Sequence, residues 1–155
     1  MDRDNFNKDL ERGKVGEALV ANALTARGHL VENVSDDWNY RRIDIDLLLT
    51  SATGSTTTLE VKTEDASERT GNVFVEYANQ NNKSHNYQGW YCFCEAEYIA
   101  FVQQNKHKAH IVSRYDLINK VNNNNYRAAS SYNACGFLMP ISDLIQCPSY
   151  FLLEV

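Results

Sequence analysis

The chain has 155 residues, a net charge of −5 and 43% hydrophobic residues, values that are typical of a soluble globular protein. No apolar run approaches the roughly 20 residues of a membrane-spanning helix, and the charged first residues do not resemble a secretion signal. We therefore expect a cytoplasmic protein without a membrane partner, folded as one domain over residues 1–155. The four cysteines lack the Cys-x-x-Cys spacing of a zinc ribbon, and the net negative charge argues mildly against indiscriminate binding to nucleic acid.

The first segment predicts a helix over about residues 5 to 26, and Gly28 is placed where such a helix stops. The stripe of residues that recurs in steps of three and four is apolar, except that Glu17 falls on it. A carboxylate that points inward is costly unless it is paired or binds a cation. Glu17 is therefore a candidate functional residue.

Strand patterns follow the helix and predict one sheet. The strands expected in this sheet cover residues 30–34, 43–50, 57–63 and 73–77. Gly54 marks the turn between the second and third of these, and residues 78–89 form a polar loop. The second half predicts a hairpin of residues 98–103 with 109–113 and a short helix over residues 113–121. Short strands are expected at residues 136–140 and 150–155, on either side of a helical turn at 142–146. This order predicts an α/β fold with a central mixed sheet that is flanked by helices.

Acidic and basic side chains concentrate on two of these strands. Because side chains alternate along a strand, Asp44 and Asp46 are expected to share one face, and Glu60 and Lys62 one face of the next strand. If the strands pair, the four side chains converge, and Glu17 can join them. Converging carboxylates repel one another unless a divalent cation lies between them, and Mg²⁺ prefers such oxygen ligands. A bound metal acidifies water and a nearby ammonium stabilises an oxyanion, so the set suits phosphodiester hydrolysis.

The same residues carry a resemblance to a known superfamily. Asp46, followed after a hairpin-length gap by Glu60-Val61-Lys62, resembles the PD-(D/E)xK nucleases, which include restriction enzymes, Holliday-junction resolvases and phage recombination nucleases. Gly13-Lys14-Val15-Gly16-Glu17 resembles the first-helix motif of the resolvase-like, phage-type branch. The resemblance covers about residues 6 to 102 and implies a restriction-endonuclease-like αβββαβ core. One departure is Ile45, which stands where the family has proline.

The resemblance also implies roles for individual residues. Asp46 and Glu60 would ligate Mg²⁺, with Mn²⁺ as a substitute, and the Val61 carbonyl would be a backbone ligand. Lys62 would be the catalytic lysine. Glu17 would be an auxiliary catalytic residue and metal ligand.

Asp44 competes with Asp46 for the place of the first aspartate. We favour Asp46 because the apolar run 47–49 follows it directly. Asp44 then either assists as a further metal ligand or pairs with Arg41 or Arg42.

Residues on either side of this predicted site are candidates for nucleic-acid binding. They are Arg41, Arg42 and Tyr40, next to Trp38, and Lys83, Ser84 and His85 in the polar loop. Basic side chains bind phosphates, and aromatic rings stack on exposed bases. The alternative for both groups is an ordinary surface loop with solvated polar residues and packed aromatic rings.

We therefore expect a Mg²⁺-dependent endonuclease that hydrolyses phosphodiester bonds in DNA, with branched or recombining DNA as one substrate class. A homodimer is expected because two sites can then address two strands. Two alternatives stay open. One is a non-catalytic nucleic-acid-binding or assembly module on the same fold, because Glu-x-Lys alone is common on solvated strands. The other is an RNA-directed nuclease, because no module that reads a 2′-hydroxyl is visible.

Overall fold

The computed structural model describes residues 3–155, which contain six α-helices and nine strands. The helices are α1 (Arg3–Ala26), α2 (Trp38–Arg41), α3 (Ser67–Thr70), α4 (Trp90–Phe93), α5 (Arg114–Asn123) and α6 (Ile141–Ile145). The strands are β1 (Leu30–Asn33), β2 (Leu47–Thr50), β3 (Thr56–Thr63), β4 (Asn72–Asn79), β5 (Tyr98–Gln103), β6 (Lys108–Ser113), β7 (Ala128–Ser130), β8 (Ala134–Pro140) and β9 (Phe151–Glu154). Residues 1 and 2, part of the charged N-terminus considered above, lie outside the described residues.

The strands form two sheets. The larger has six strands in the order β1-β2-β3-β5-β6-β9, and the smaller has three in the order β4-β8-β7. Neighbouring strands are antiparallel except β3 and β5, which are parallel. The predicted mixed sheet and the predicted hairpin of β5 and β6 are therefore confirmed.

Two apolar clusters cover the two faces of the larger sheet. On one face, Val20 and Leu24 of α1 pack on Leu59 and Val61 of β3. On the other face, Phe101 of β5 packs with residues of α4, α5, α6 and the smaller sheet. The larger sheet thus lies between the long helix and a layer made of the smaller sheet and short helices. Helices flank the sheet on both sides, as predicted.

The strand predicted at residues 73–77 exists, but its predicted partner is wrong. β4 pairs with β8 in the smaller sheet and does not join β3. After β3 the chain forms α3, which ends at Gly71 with a φ of 72°, and this left-handed residue redirects the chain away from the larger sheet. A strand pattern predicts an extended conformation but carries no information about the pairing partner.

The strand predicted at residues 43–50 is shorter than expected, because it begins only at Leu47. The backbone N–H groups of Ile43 and Ile45 both donate to the Tyr40 carbonyl oxygen, and Asp44 has a φ of 58°. A left-handed residue cannot belong to a regular strand. Asp44 therefore lies in a turn and Asp46 lies just before β2, so the two do not alternate along one strand.

A search of residues 3–155 for a helix both long and apolar enough to cross a membrane finds none.

Candidate active site

Strand β3 presents Glu60 and Lys62 on the face of the larger sheet that is opposite α1, because the alternate residues Leu59 and Val61 pack on that helix. Glu60 is only 3% exposed. The Lys62 Nζ atom lies 2.6 Å from Glu60 Oε1 and 3.0 Å from Asp44 Oδ2. One ammonium group therefore bridges two carboxylates.

Asp46 approaches the same place from the segment just before β2. Its backbone N–H donates to the Leu59 carbonyl oxygen at 3.0 Å, and its Oδ2 atom accepts the Val61 N–H at 2.9 Å. These two bonds fix the aspartate against β3, next to Glu60. The structure thus brings together Asp44, Asp46, Glu60 and Lys62, which we call the acidic cluster.

Burial has the largest effect on the pKa values of Asp46 and Glu60. It raises the pKa of Asp46 to about 6, against the lowering effect of the Lys62 charge and with a further increase from the Glu17 charge. Burial also raises the pKa of Glu60 well above its usual value, and Lys62 opposes this as well. Both carboxyl groups therefore bind a proton at a higher pH than free carboxyl groups do.

This carboxyl pair fits a divalent cation. The Glu60 Oε2 atom is buried and has no hydrogen-bond partner, which is costly for a carboxylate. A hard cation would satisfy that oxygen and compensate the negative charge of the pair. No group of three or more His, Cys, Asp or Glu side chains within residues 3–155 is arranged to hold a metal ion. Magnesium often uses only one or two carboxylates and completes its shell with water, so Asp46 and Glu60 suffice as protein side-chain ligands.

Lys62 remains charged in this setting. Burial disfavours the ammonium form, but the charges of Asp44 and Glu60 outweigh it and raise the pKa of Lys62 well above its usual value. The ammonium group also lies 5.3 Å from the centre of the Trp90 ring, which adds a cation–π contact. Lys62 is thus a fixed positive charge beside two buried carboxyl groups.

Glu17 lies beside the acidic cluster. Its Oε2 atom accepts hydrogen bonds from Asn33 Nδ2 at 3.1 Å and from Ser35 Oγ at 2.8 Å. Its charge raises the pKa of Asp46, so the two carboxylates interact through space. The structure therefore places Glu17 next to the predicted site, where Asn33 and Ser35 hold it.

The contacts of Asp44 bear on the predicted pairing with Arg41 or Arg42. Asp44 pairs with Lys62, whereas Arg41 and Arg42 are exposed. The aspartate therefore serves to hold the lysine, and its place next to Glu60 leaves it available as a further ligand.

The nucleic-acid candidates come together on one side of the acidic cluster. Arg41 and Arg42 end α2 or follow it, and Tyr40 packs on the core with only part of its side chain exposed. Lys83 and Ser84 are exposed in a short 3-10 helix (Lys83–His85). His85 reaches back to α2, with its Nε2 atom 2.7 Å from the Arg42 carbonyl oxygen.

Sequence reasoning missed two acidic residues near the cluster. Burial raises the pKa of Glu64 to about 8, although Lys62 and a hydrogen bond from the Phe74 N–H lower it. Burial likewise raises the pKa of Glu76, which interacts with the charges of Lys62 and Asp44. The alternation Glu60, Lys62, Glu64 could have identified the first of these. Glu76 gave no signal, because its strand belongs to the other sheet.

Comparison of the chain with protein-family models, with curated proteins and with solved structures finds no match. The resemblance to PD-(D/E)xK nucleases therefore rests on the residue pattern alone.

Proposed function

We propose that this chain is a Mg²⁺-dependent nuclease that hydrolyses phosphodiester bonds in DNA at the acidic cluster. One observation carries the proposal: the buried Glu60 and the partly buried Asp46 lie beside the fixed charge of Lys62, and one Glu60 oxygen has no hydrogen-bond partner. This arrangement is costly without a cation and suits one with oxygen ligands. Sites of perturbed pKa in which a specific charge partner is present are candidates for catalysis.

Each residue of the cluster has a chemical task in this proposal. Asp46 and Glu60 would hold the cation, which supplies an acidified water and positive charge on the phosphate. Lys62 donates a hydrogen bond to the attacking oxygen or to a phosphate oxygen, because its ammonium has three donors and two carboxylates orient it. Asp44 holds that ammonium in place. Glu17 adds negative charge beside Asp46 and favours cation binding.

The fold supports a finer proposal, a restriction-endonuclease-like core. Helix α1 packs on the antiparallel pair β2 and β3, and β5 runs parallel to β3 on its other side. A homodimer belongs to the same proposal, since one site cuts one strand at a time. Branched or recombining DNA is included because of the resolvase-like pattern around Glu17.

The test is cleavage of labelled single-stranded, duplex and four-way-junction DNA with Mg²⁺, Mn²⁺ or a chelator. We expect cutting that needs the metal and that falls by roughly 10²-fold or more in Asp46→Asn and Lys62→Met. Asp46→Asn retains an acceptor for the Val61 N–H, so its fold is preserved. Glu154→Gln, an exposed residue of β9, is the matched control and should cut like the wild type.

Two results would redirect the proposal. Cutting that persists in chelator, or in Asp46→Asn at the wild-type rate, would exclude the acidic cluster as the active site. DNA binding without any cutting would instead favour a binding module, and preferential cutting of RNA a ribonuclease.

A further inference from the structure

The segment that contains α2 and the polar loop after β4 form one continuous surface. The Nε2–H of His85 donates to the Arg42 carbonyl oxygen at 2.7 Å, because a carbonyl can only accept. The His85 ring also stacks on Phe93 of α4, with ring centres 3.8 Å apart. Residues 38–42 and 80–88 are thereby joined, and we call them the α2–loop surface.

The charge of this surface is opposite to that of the whole protein. The chain carries −5, yet residues 38–43 and 77–94 contain no acidic residue and include Arg41, Arg42 and Lys83. The acidic side chains that directly precede α2 in the chain already have partners. Asp37 caps α2 by accepting the Asn39 N–H, and Asp36 pairs with Lys14 at 3.1 Å. An electropositive strip therefore lies on an otherwise acidic protein.

Large aromatic side chains are exposed on the same surface. Trp38, the first residue of α2, is 63% exposed, and Tyr87 in the loop is 53% exposed. An aromatic ring that lies among basic residues and is open to solvent has the chemistry of a stacking platform for a nucleic-acid base.

The surface leads directly to the acidic cluster. The Asp44 N–H donates to the Arg41 carbonyl oxygen, so a single turn joins the basic side chains to the aspartate that holds Lys62. A strand whose phosphates lie on Arg41 and Arg42 would therefore continue towards Glu60.

We propose that the α2–loop surface binds an unpaired DNA strand, with Trp38 stacked on a base and Arg41, Arg42 and Lys83 on the phosphates. Stacking on a side chain needs the face of a base to be free, and a duplex hides that face. The surface thus selects single-stranded segments or unpaired ends. The inference that this surface selects the substrate for cutting rests on the proposed nuclease function. The inference that it binds single-stranded DNA does not.

The test is binding by the whole chain in chelator, so that no cutting interferes. A labelled oligothymidine and a labelled hairpin duplex of equal length are titrated, with fluorescence anisotropy and tryptophan emission as readouts. We expect the single strand to bind more tightly and to quench Trp38, because the other tryptophan, Trp90, is only 7% exposed. Trp38→Ala should weaken binding about tenfold or more, whereas Trp38→Phe should retain most of the affinity.

The matched control is Tyr115→Ala. Tyr115 is 73% exposed on α5, beside Asp116, and is not part of the α2–loop surface, so its loss should leave binding unchanged. Equal or tighter binding of the duplex would overturn the proposal, and so would wild-type affinity in Trp38→Ala. If the single strand binds as expected but Mg²⁺ brings no cutting, the nuclease function fails and this surface stands. If Asp46-dependent cutting occurs and Trp38→Ala has no effect on binding, the nuclease function stands and the proposed binding surface fails.

Discussion

Glu64 follows the last residue of β3 and is a largely buried acid for which the proposed chemistry needs no role. Burial raises its pKa to about 8, although the Phe74 N–H and the charges of Lys62 and Arg12 lower it. The folded protein therefore holds a proton on this group over a pH range in which the unfolded chain has already released it.

This raised pKa predicts how stability depends on pH. Because the folded pKa lies above the ordinary value of 4.5, the folded state binds more protons between about pH 4.5 and 8, and stability falls as the pH rises through that range. Glu64→Gln should remove this contribution. From pH 5 to pH 8, the free energy of unfolding of the variant should therefore rise relative to that of the wild type by on the order of 3 kcal/mol. Urea unfolding at both pH values, in chelator, measures the difference. Parallel pH profiles for the two proteins would show that Glu64 titrates normally.

At the scale of residues, the sequence correctly predicted the relative position of site residues that lie on the same strand. Glu60 and Lys62 were predicted to share a face, and they are 2.6 Å apart. Asp46 was predicted on a strand that begins at residue 43, but it lies just before β2, because the left-handed Asp44 delays the start of that strand. Glu76 could not be predicted, since its position depends on how the two sheets pack.

Gly16 is the point where helix α1 lies closest to β3. A Cβ atom on Gly16 would overlap Thr63 Oγ1, whereas a Cβ atom on Gly13 would have no neighbour within 4 Å. The absence of a side chain at Gly16 lets the helix approach the sheet, and the next residue is Glu17. The close contact therefore helps to set the position of that carboxylate.

We predict opposite effects of alanine at the two glycines. Gly13→Ala should stabilise the protein by about 0.5–1 kcal/mol, because alanine favours the helix. Gly16→Ala gains the same helical preference but should be less stable than Gly13→Ala by about 1–3 kcal/mol, because the added methyl group overpacks the helix against β3. Thermal unfolding compares the two.

A second substitution tests the cause. Adding Thr63→Ala to Gly16→Ala removes the overlapping atom and should recover part of the loss. Equal stability of Gly16→Ala and Gly13→Ala would mean that the helix does not depend on this approach.

At the scale of elements, the sequence predicted the three longest helices and every strand except β7, but not how the strands divide between sheets. The helical stripe that contains Val20 and Leu24 has a clear period, and α1 was predicted almost to its ends. The division into two sheets depends on Gly71 and on the pairing of β4 with β8, which lie about sixty residues apart. Local patterns do not encode such long-range pairing.

At the scale of the whole molecule, a net charge of −5 disfavours general attraction to DNA, so the proposed binding depends on the basic residues of the α2–loop surface. Binding through the three basic side chains Arg41, Arg42 and Lys83 releases about two counterions from a single strand. We therefore expect affinity for the single strand to fall roughly twentyfold between about 50 and 200 mM salt. Anisotropy titrations over this range measure the slope, and a flat response would contradict binding through phosphates.

The central claim of a cation site at Asp46 and Glu60 is tested most directly by calorimetric titration of Mn²⁺ and Mg²⁺ into the protein without DNA. We predict that the wild type binds, and that at about pH 6 it releases a proton from the carboxyl pair, so the heat depends on the ionisation enthalpy of the buffer. Asp46→Asn and Glu60→Gln should lose this binding, and Glu154→Gln should retain it. No binding at millimolar Mn²⁺, or equal binding by Asp46→Asn, would contradict the assignment of the site.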